Sequence, residues 1–236
     1  MNQTTIKLGF WAAAGSAATF VLFTICFVAI LLTSPLFVWT NMADFMTYAR
    51  GNGRFFQYLA QASMLLFGVL YVVLLNSIHE LTPSPKKILS RNSLSFGLMF
   101  ALLIGVNYFL QISTVRFYIG RGDFATLEQV LEANPHSAVS AVNMLGVTLF
   151  FGLSSLFAAP IFVGGRLEKI ISLAFWVNGF SLLLGFVSFL FQWLAVLFVT
   201  VNLGMGFAVL TAAIGLALWF RGLENGAVDT AVSQPT

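Results

Sequence analysis

Six apolar runs, each long enough to cross a bilayer as a helix, dominate the chain: residues 9–33, 59–78, 94–115, 138–163, 170–191 and 194–220. A hydrocarbon core about 30 Å thick needs about 20 apolar residues at 1.5 Å rise each, and all six runs meet that length. Inside a bilayer every backbone polar group needs an internal partner, so a run of this kind spans as a helix. The fold class that follows is all-α: a polytopic membrane protein built as a six-transmembrane-helix bundle. Only 8% of residues are charged and 59% are apolar, against about 25% charged in a soluble globular protein. The runs take up most of the chain, so residues 1–222 read as a single membrane domain and 223–236 as a disordered cytoplasmic tail.

The lipid bilayer is therefore the first partner. A net charge of +3 invites a nucleic-acid reading, but no basic cluster exceeds three residues, and basic residues at membrane borders follow the positive-inside bias. No nucleic-acid partner is expected. The single cysteine, Cys26, lies within the first run and reads as a small buried hydrophobe with no disulfide or metal partner. The first run is longer than a secretory apolar core, and Thr33-Ser34-Pro35-Leu36 after it is not a small-residue cleavage pattern, so a retained first helix is expected.

Charge sets the orientation. With the amino terminus inside, Lys7, Lys86, Lys87, Arg91, Arg166, Lys169 and Arg221 fall on the inner side, and Arg50, Arg54, Arg116 and Arg121 on the outer. Seven against four favours both termini in the cytoplasm. The two long loops, 34–58 and 116–137, then lie outside. In the second, Phe124, Leu127, Val130 and Leu131 recur at helical spacing behind Asp123, and Asn134-Pro135 stops the pattern. A short amphipathic helix is predicted there, in the loop between the third and fourth spans. The first loop carries Phe37, Trp39, Phe45, Tyr48, Phe55 and Phe56, aromatic enough for the interface.

Polar residues within the runs are the best functional clue, because each costs free energy unless satisfied. Asn107, Gln111, Thr114 and Tyr118 share a face of the third span by helical arithmetic. Gln57, Gln61 and Gly68 do so on the second, and His136, Ser140 and Asn143 on the fourth. Ser181, Gly185, Ser188 and Gln192 do so on the fifth, and Asn202 lies at similar depth on the sixth. Most fall in the outer half, whereas the inner half is apolar apart from Asn76 and Asn178. Two readings compete: polar glue between helices, or one polar cavity opening outward. Small-residue pairs (Ala13 and Ala17, Ser155 and Ala159, Ala208 and Ala212) indicate a tight bundle and leave the oligomeric state open.

No acidic or basic residue lies deep in a run, which counts against ion-coupled transport and voltage sensing. No HExxH motif occurs, and His79 and His136 fall at opposite membrane faces, so no metal site and no cofactor are expected. Arg116 closes the third span, either snorkelling to headgroups or binding an anionic group at the cavity mouth.

The segments Asn107-Tyr-Phe-Leu-Gln111, Asn134-Pro-His136 and Phe157-Ala-Ala-Pro160 together resemble an uncharacterised group of bacterial multi-pass membrane proteins with no established activity. The resemblance covers the third to fifth spans and implies a bacterial inner-membrane protein. The leading expectation is non-catalytic binding of a small molecule, lipid or partner in an outward-facing polar cavity. Asn107, Gln111, Asn143 and Gln61 would hold the ligand, with Arg116 and His136 at the mouth. The alternatives are a transporter or channel for an uncharged solute, and a membrane-embedded enzyme acting on lipid through His136, Glu132 or Asp44.

Overall fold

The computed structural model describes the backbone of residues 2–35, 37–121 and 127–232, with side chains as far as residue 226. Six helices are long and apolar enough to span a membrane. They are α1 (Gln3–Thr33), α3 (Phe55–Leu81), α4 (Ser84–Arg121), α5 (Ala138–Ile161), α6 (Arg166–Leu190) and α7 (Leu194–Gly226). A shorter helix, α2 (Met42–Gly51), lies between α1 and α3. The backbone of α7 stays helical to Val232, within the segment expected as a tail. Among the described residues there is no strand.

Several starts and stops have a local cause. Asn2 accepts the Thr4 N–H at 3.0 Å to open α1, which ends just before Pro35. At α2, Asn41 and Asp44 bond reciprocally: the Asp44 N–H reaches Asn41 Oδ1 at 3.0 Å, and Asn41 Nδ2 reaches Asp44 Oδ2 at 2.8 Å. Asp44 in the first turn and Arg50 in the last suit the helix dipole. The sequence reading did not foresee α2, because its aromatic residues there suggested an interfacial loop.

The spans pack as a closed ring, α1–α3–α4–α5–α6–α7, each chiefly against its neighbours, with α7 returning to α1. Close approach fixes that last seam: a Cβ on Gly9 would meet the Phe220 ring at 2.2 Å. Gly179 on α6 is held the same way: a Cβ there would stand 2.3 Å from Leu156 and 3.1 Å from the Gly152 carbonyl of α5. The Gly9 contact also puts the two ends of the chain on one face.

On that face the connections are short and carry basic residues. Lys86 Nζ donates to the carbonyls of Pro160 at 2.7 Å and Ile161 at 3.0 Å. Lys87 Nζ donates to the carbonyls of His79 and Glu80. Both cations thus satisfy carbonyls at helix C-termini, of α5 and α3 respectively. Trp219 Nε1 donates to Glu168 Oε1 at 3.1 Å and ties α7 to α6. The opposite face carries α2 and the segment 127–137.

The ring is filled midway by aromatics. Phe100 and Phe151 stack at 4.3 Å, and Phe67 and Tyr71 pack edge-on against both. The Tyr71 hydroxyl shares a 2.9 Å hydrogen bond with Ser154 Oγ, which also donates to the Ser93 carbonyl at 2.8 Å. Beside this layer is a cavity of about 20 Å³ bordered by Ser16 and Asn178, among others. Ser16 Oγ and Asn178 Oδ1 are buried there without partners. The cavity is about the size of one water.

Candidate functional site

The polar faces of three spans converge near the loop face, and they converge on a residue from outside the spans. Glu132 sends its carboxyl group between α3, α4 and α5. Asn107 Nδ2 donates to Oε1 at 3.2 Å, Asn143 Nδ2 to the same oxygen at 3.1 Å, and Gln61 Nε2 to Oε2 at 3.1 Å. As a residue Glu132 is half-buried, but its carboxyl group is enclosed. Among the described residues no lysine, arginine or histidine forms an ion pair with it. Burial pushes its pKa up, and the bonds from Asn107 and Gln61 pull the other way.

Gln111 explains how the carboxyl gets there. Its amide bonds the 127–137 backbone twice: Nε2 donates to the Val130 carbonyl at 2.8 Å, and Oε1 accepts the Glu132 N–H at 3.2 Å. These are the bonds a neighbouring strand would make, supplied by one side chain. Leu127 and Leu131 on either side are fully buried against Phe45, Met46, Ala49 and Val115, in a second small core under α2. The segment is thus anchored by apolar side chains, and Glu132 is carried inward with them.

The amphipathic helix expected in this loop is corrected by the structure over its described part. Residues 122–126, including Asp123 and Phe124, lie outside the described residues. From Leu127 to Ser137 the chain runs in turns, with three-residue bonds from Val130 N to Leu127 O, Asn134 N to Leu131 O and Ser137 N to Asn134 O. Side chains take the carbonyls and N–H groups a helix would use. Asn134 Nδ2 takes the Glu128 carbonyl, Ser137 Oγ the Leu131 carbonyl, and Gln111 those at 130 and 132. Such local competition favours turns over helix. Ser137 then caps α5 by accepting the Ser140 N–H at 3.1 Å.

The other expected site residues part ways. His136 is exposed, and its backbone N–H bonds Asn134 Oδ1 at 2.9 Å. No hydrogen bond or ion pair joins it to Glu132 among the described residues. Arg116 is exposed, with its guanidinium 5.5 Å from the Tyr58 ring, whose centroid is also 5.4 Å from the Arg54 guanidinium. Thr114 and Tyr118 leave the face of Asn107 and Gln111. A wide i→i+5 turn over Gln111–Val115 puts Val115 inward, and Thr114 and Tyr118 line an outer recess with Phe117 and Arg121. On α6 and α7, Ser188 and Asn202 bond carbonyls of their own helices. Three spans, not five, build the polar layer.

The layer has one chemical peculiarity. Gln61, Asn107 and Asn143 are all at most 5% exposed. Each donates an N–H to Glu132, the Asn143 amide also reaches the Tyr108 hydroxyl, and each leaves its carbonyl oxygen buried without a hydrogen-bond partner. Buried acceptors are normally satisfied, so three on neighbouring residues need an explanation. Among the described residues no group of three or more His, Cys, Asp or Glu side chains is placed to hold a metal ion.

Six apolar spans around a packed axis, with a polar layer toward one face, define a polytopic helical membrane protein. No protein-family model matches the chain, and neither a curated protein nor a solved structure matches it.

Proposed function

We propose that the protein is a non-catalytic binding protein of the bacterial inner membrane, with both termini cytoplasmic, whose amide layer takes a small polar ligand from the outer side. The observation that supports this is the set of unpartnered oxygens on Gln61, Asn107 and Asn143, from three different helices around one carboxyl group. Deeper in the bundle the Ser154 hydroxyl bonds both the Tyr71 hydroxyl and the Ser93 carbonyl, whereas the amide layer gathers three unpartnered oxygens around one group. Gln111 serves as the clasp that holds Glu132 in the layer. Arg116 and His136, exposed at the same face, act at the approach to the site.

The test is native mass spectrometry of protein gently released from membranes, wild type beside Asn107→Leu. A discrete adduct on the wild type, lost from an equally folded variant, is the expected result. Equal spectra from two folded proteins, with no adduct on either, would return the amide layer to a packing role.

A further inference from the structure

The chemistry of the amide layer narrows what it binds. We propose that Glu132, Gln61, Asn107 and Asn143 form a site for one alkali-metal cation, held by the carboxylate and the three amide oxygens. This inference rests on the reading of the layer as a binding site.

Four features carry it. The groups present are a carboxylate and carboxamides, the oxygen ligands that hard cations take. The charge is a single carboxylate, whose described side-chain partners are all amides. One monovalent ion would leave the buried site neutral, whereas a divalent ion would leave a positive charge uncompensated. The spacing is small. Amide tips stand 3.1–3.2 Å from the carboxylate oxygens, a spacing that suits a single ion. Oxygens bound at right angles around an ion at about 2.4 Å stand about 3.4 Å apart, so only a few tenths of an ångström of expansion is needed.

The fourth feature is the orphaned oxygens themselves. A half-turn about the last torsion of each amide exchanges its N–H group for its oxygen at the same point, and that torsion is broad and roughly two-fold. The layer therefore has two settings. With N–H groups inward, three donors stabilise the bare carboxylate. With oxygens inward, the same side chains complete a cation's shell, and the N–H groups turn to where the oxygens now lie. Tyr108, on α4, is the other titratable group facing Glu132 among the described residues.

The experiment follows thermal unfolding of the full-length protein in detergent, in NaCl, KCl, LiCl or N-methyl-D-glucamine chloride at equal ionic strength. A ligand that binds only the folded state raises the midpoint. At neutral pH at least one alkali salt is expected to raise it over the organic cation. The shift is expected to shrink in acid, where protons compete for Glu132, and to vanish in Glu132→Gln. Gln61→Leu keeps the charge and removes one oxygen, so it should need about tenfold more salt for the same shift; it also decides the matter if Glu132→Gln does not fold. Equal wild-type midpoints in all four salts at neutral pH overturn the proposal, as does a shift that survives in both variants. Midpoints that follow pH but not salt also overturn it and make the proton the occupant. An organic adduct lost in Asn107→Leu, without any salt effect, overturns the cation while the binding reading stands.

Discussion

The amide layer and the aromatic layer sit on the same three helices, about 9–12 Å apart by residue rise: Gln61 above Phe67, Asn107 above Phe100, Asn143 above Phe151. The deeper layer is closed by shape. Its rings pack with centroids 4.3–6.3 Å apart, and the Ser154 hydroxyl bonds both the Tyr71 hydroxyl and the Ser93 carbonyl. The upper layer is closed by charge. Its centre is a carboxyl group from a loop, its walls are amides, and three acceptors remain unused. In lipid there is little hydrophobic drive between helices, so packing and polar contacts decide association. The protein separates the two: packing holds the middle, and polar chemistry is kept near one face.

Substitutions should respond differently in the two layers. The largest loss belongs below: Phe151→Ala removes a ring that stacks on Phe100 and meets Tyr71 and Phe67, and should cost about 3 kcal/mol in reversible unfolding in micelles or bicelles. Phe151→Leu, which restores much of the volume, should lose clearly less. A loss no larger than that of an exposed lipid-facing position such as Phe207→Ala would break the distinction.

In the upper layer, hydrogen bonding should matter more than size. Glu132→Leu strands three buried amide N–H groups and should cost about 2 kcal/mol, whereas Glu132→Gln keeps an acceptor and should lose much less. Equal losses in the two variants would mean that the carboxyl group is merely filling space.

The pH response sharpens the same contrast. Burial raises the Glu132 pKa above its ordinary value of 4.5, and the Asn107 and Gln61 bonds offset this only in part. A carboxyl raised in the folded state binds its proton more tightly there than in the unfolded chain. Its stabilising contribution is therefore full below pH 4.5 and is lost as pH rises through the raised value. In buffer without alkali cations, wild-type stability should decline across that interval relative to Glu132→Gln. Parallel curves would show that Glu132 does not titrate differently on folding.

The smallest effect is expected from Tyr71→Phe, which removes one interhelical hydrogen bond and should cost about 0.6 kcal/mol. Its binding of any adduct should be unchanged. Loss of the adduct in this variant would link the two layers.

Much of this architecture is legible in the chain. Six spans follow from run length alone, and the four-residue arithmetic brings Asn107 and Gln111 to one buried face and picks out Gln61 and Asn143. The ring order of the helices is not written there, and it is what brings three polar faces together and leaves Ser188 and Asn202 to bond their own backbones. Thr114 and Tyr118 were misplaced because one wide turn shifts the phase of every residue after it. Glu132 was the hardest to read. Its neighbours Leu127, Val130 and Leu131 gave a helical period, yet the same apolar residues are what pull the segment inward. The available signal was the company it keeps: a carboxylate amid leucines and valines in a loop too apolar to stay solvated.

Amides from three separate helices meet at Glu132, and their energies should be coupled through it. A double-mutant cycle between Glu132→Gln and Asn107→Leu, read by unfolding free energy in one bicelle composition, tests it most directly. The expected coupling is at least about 0.5 kcal/mol, because each change alters the partner of the other. Losses that add to within about 0.3 kcal/mol would contradict it.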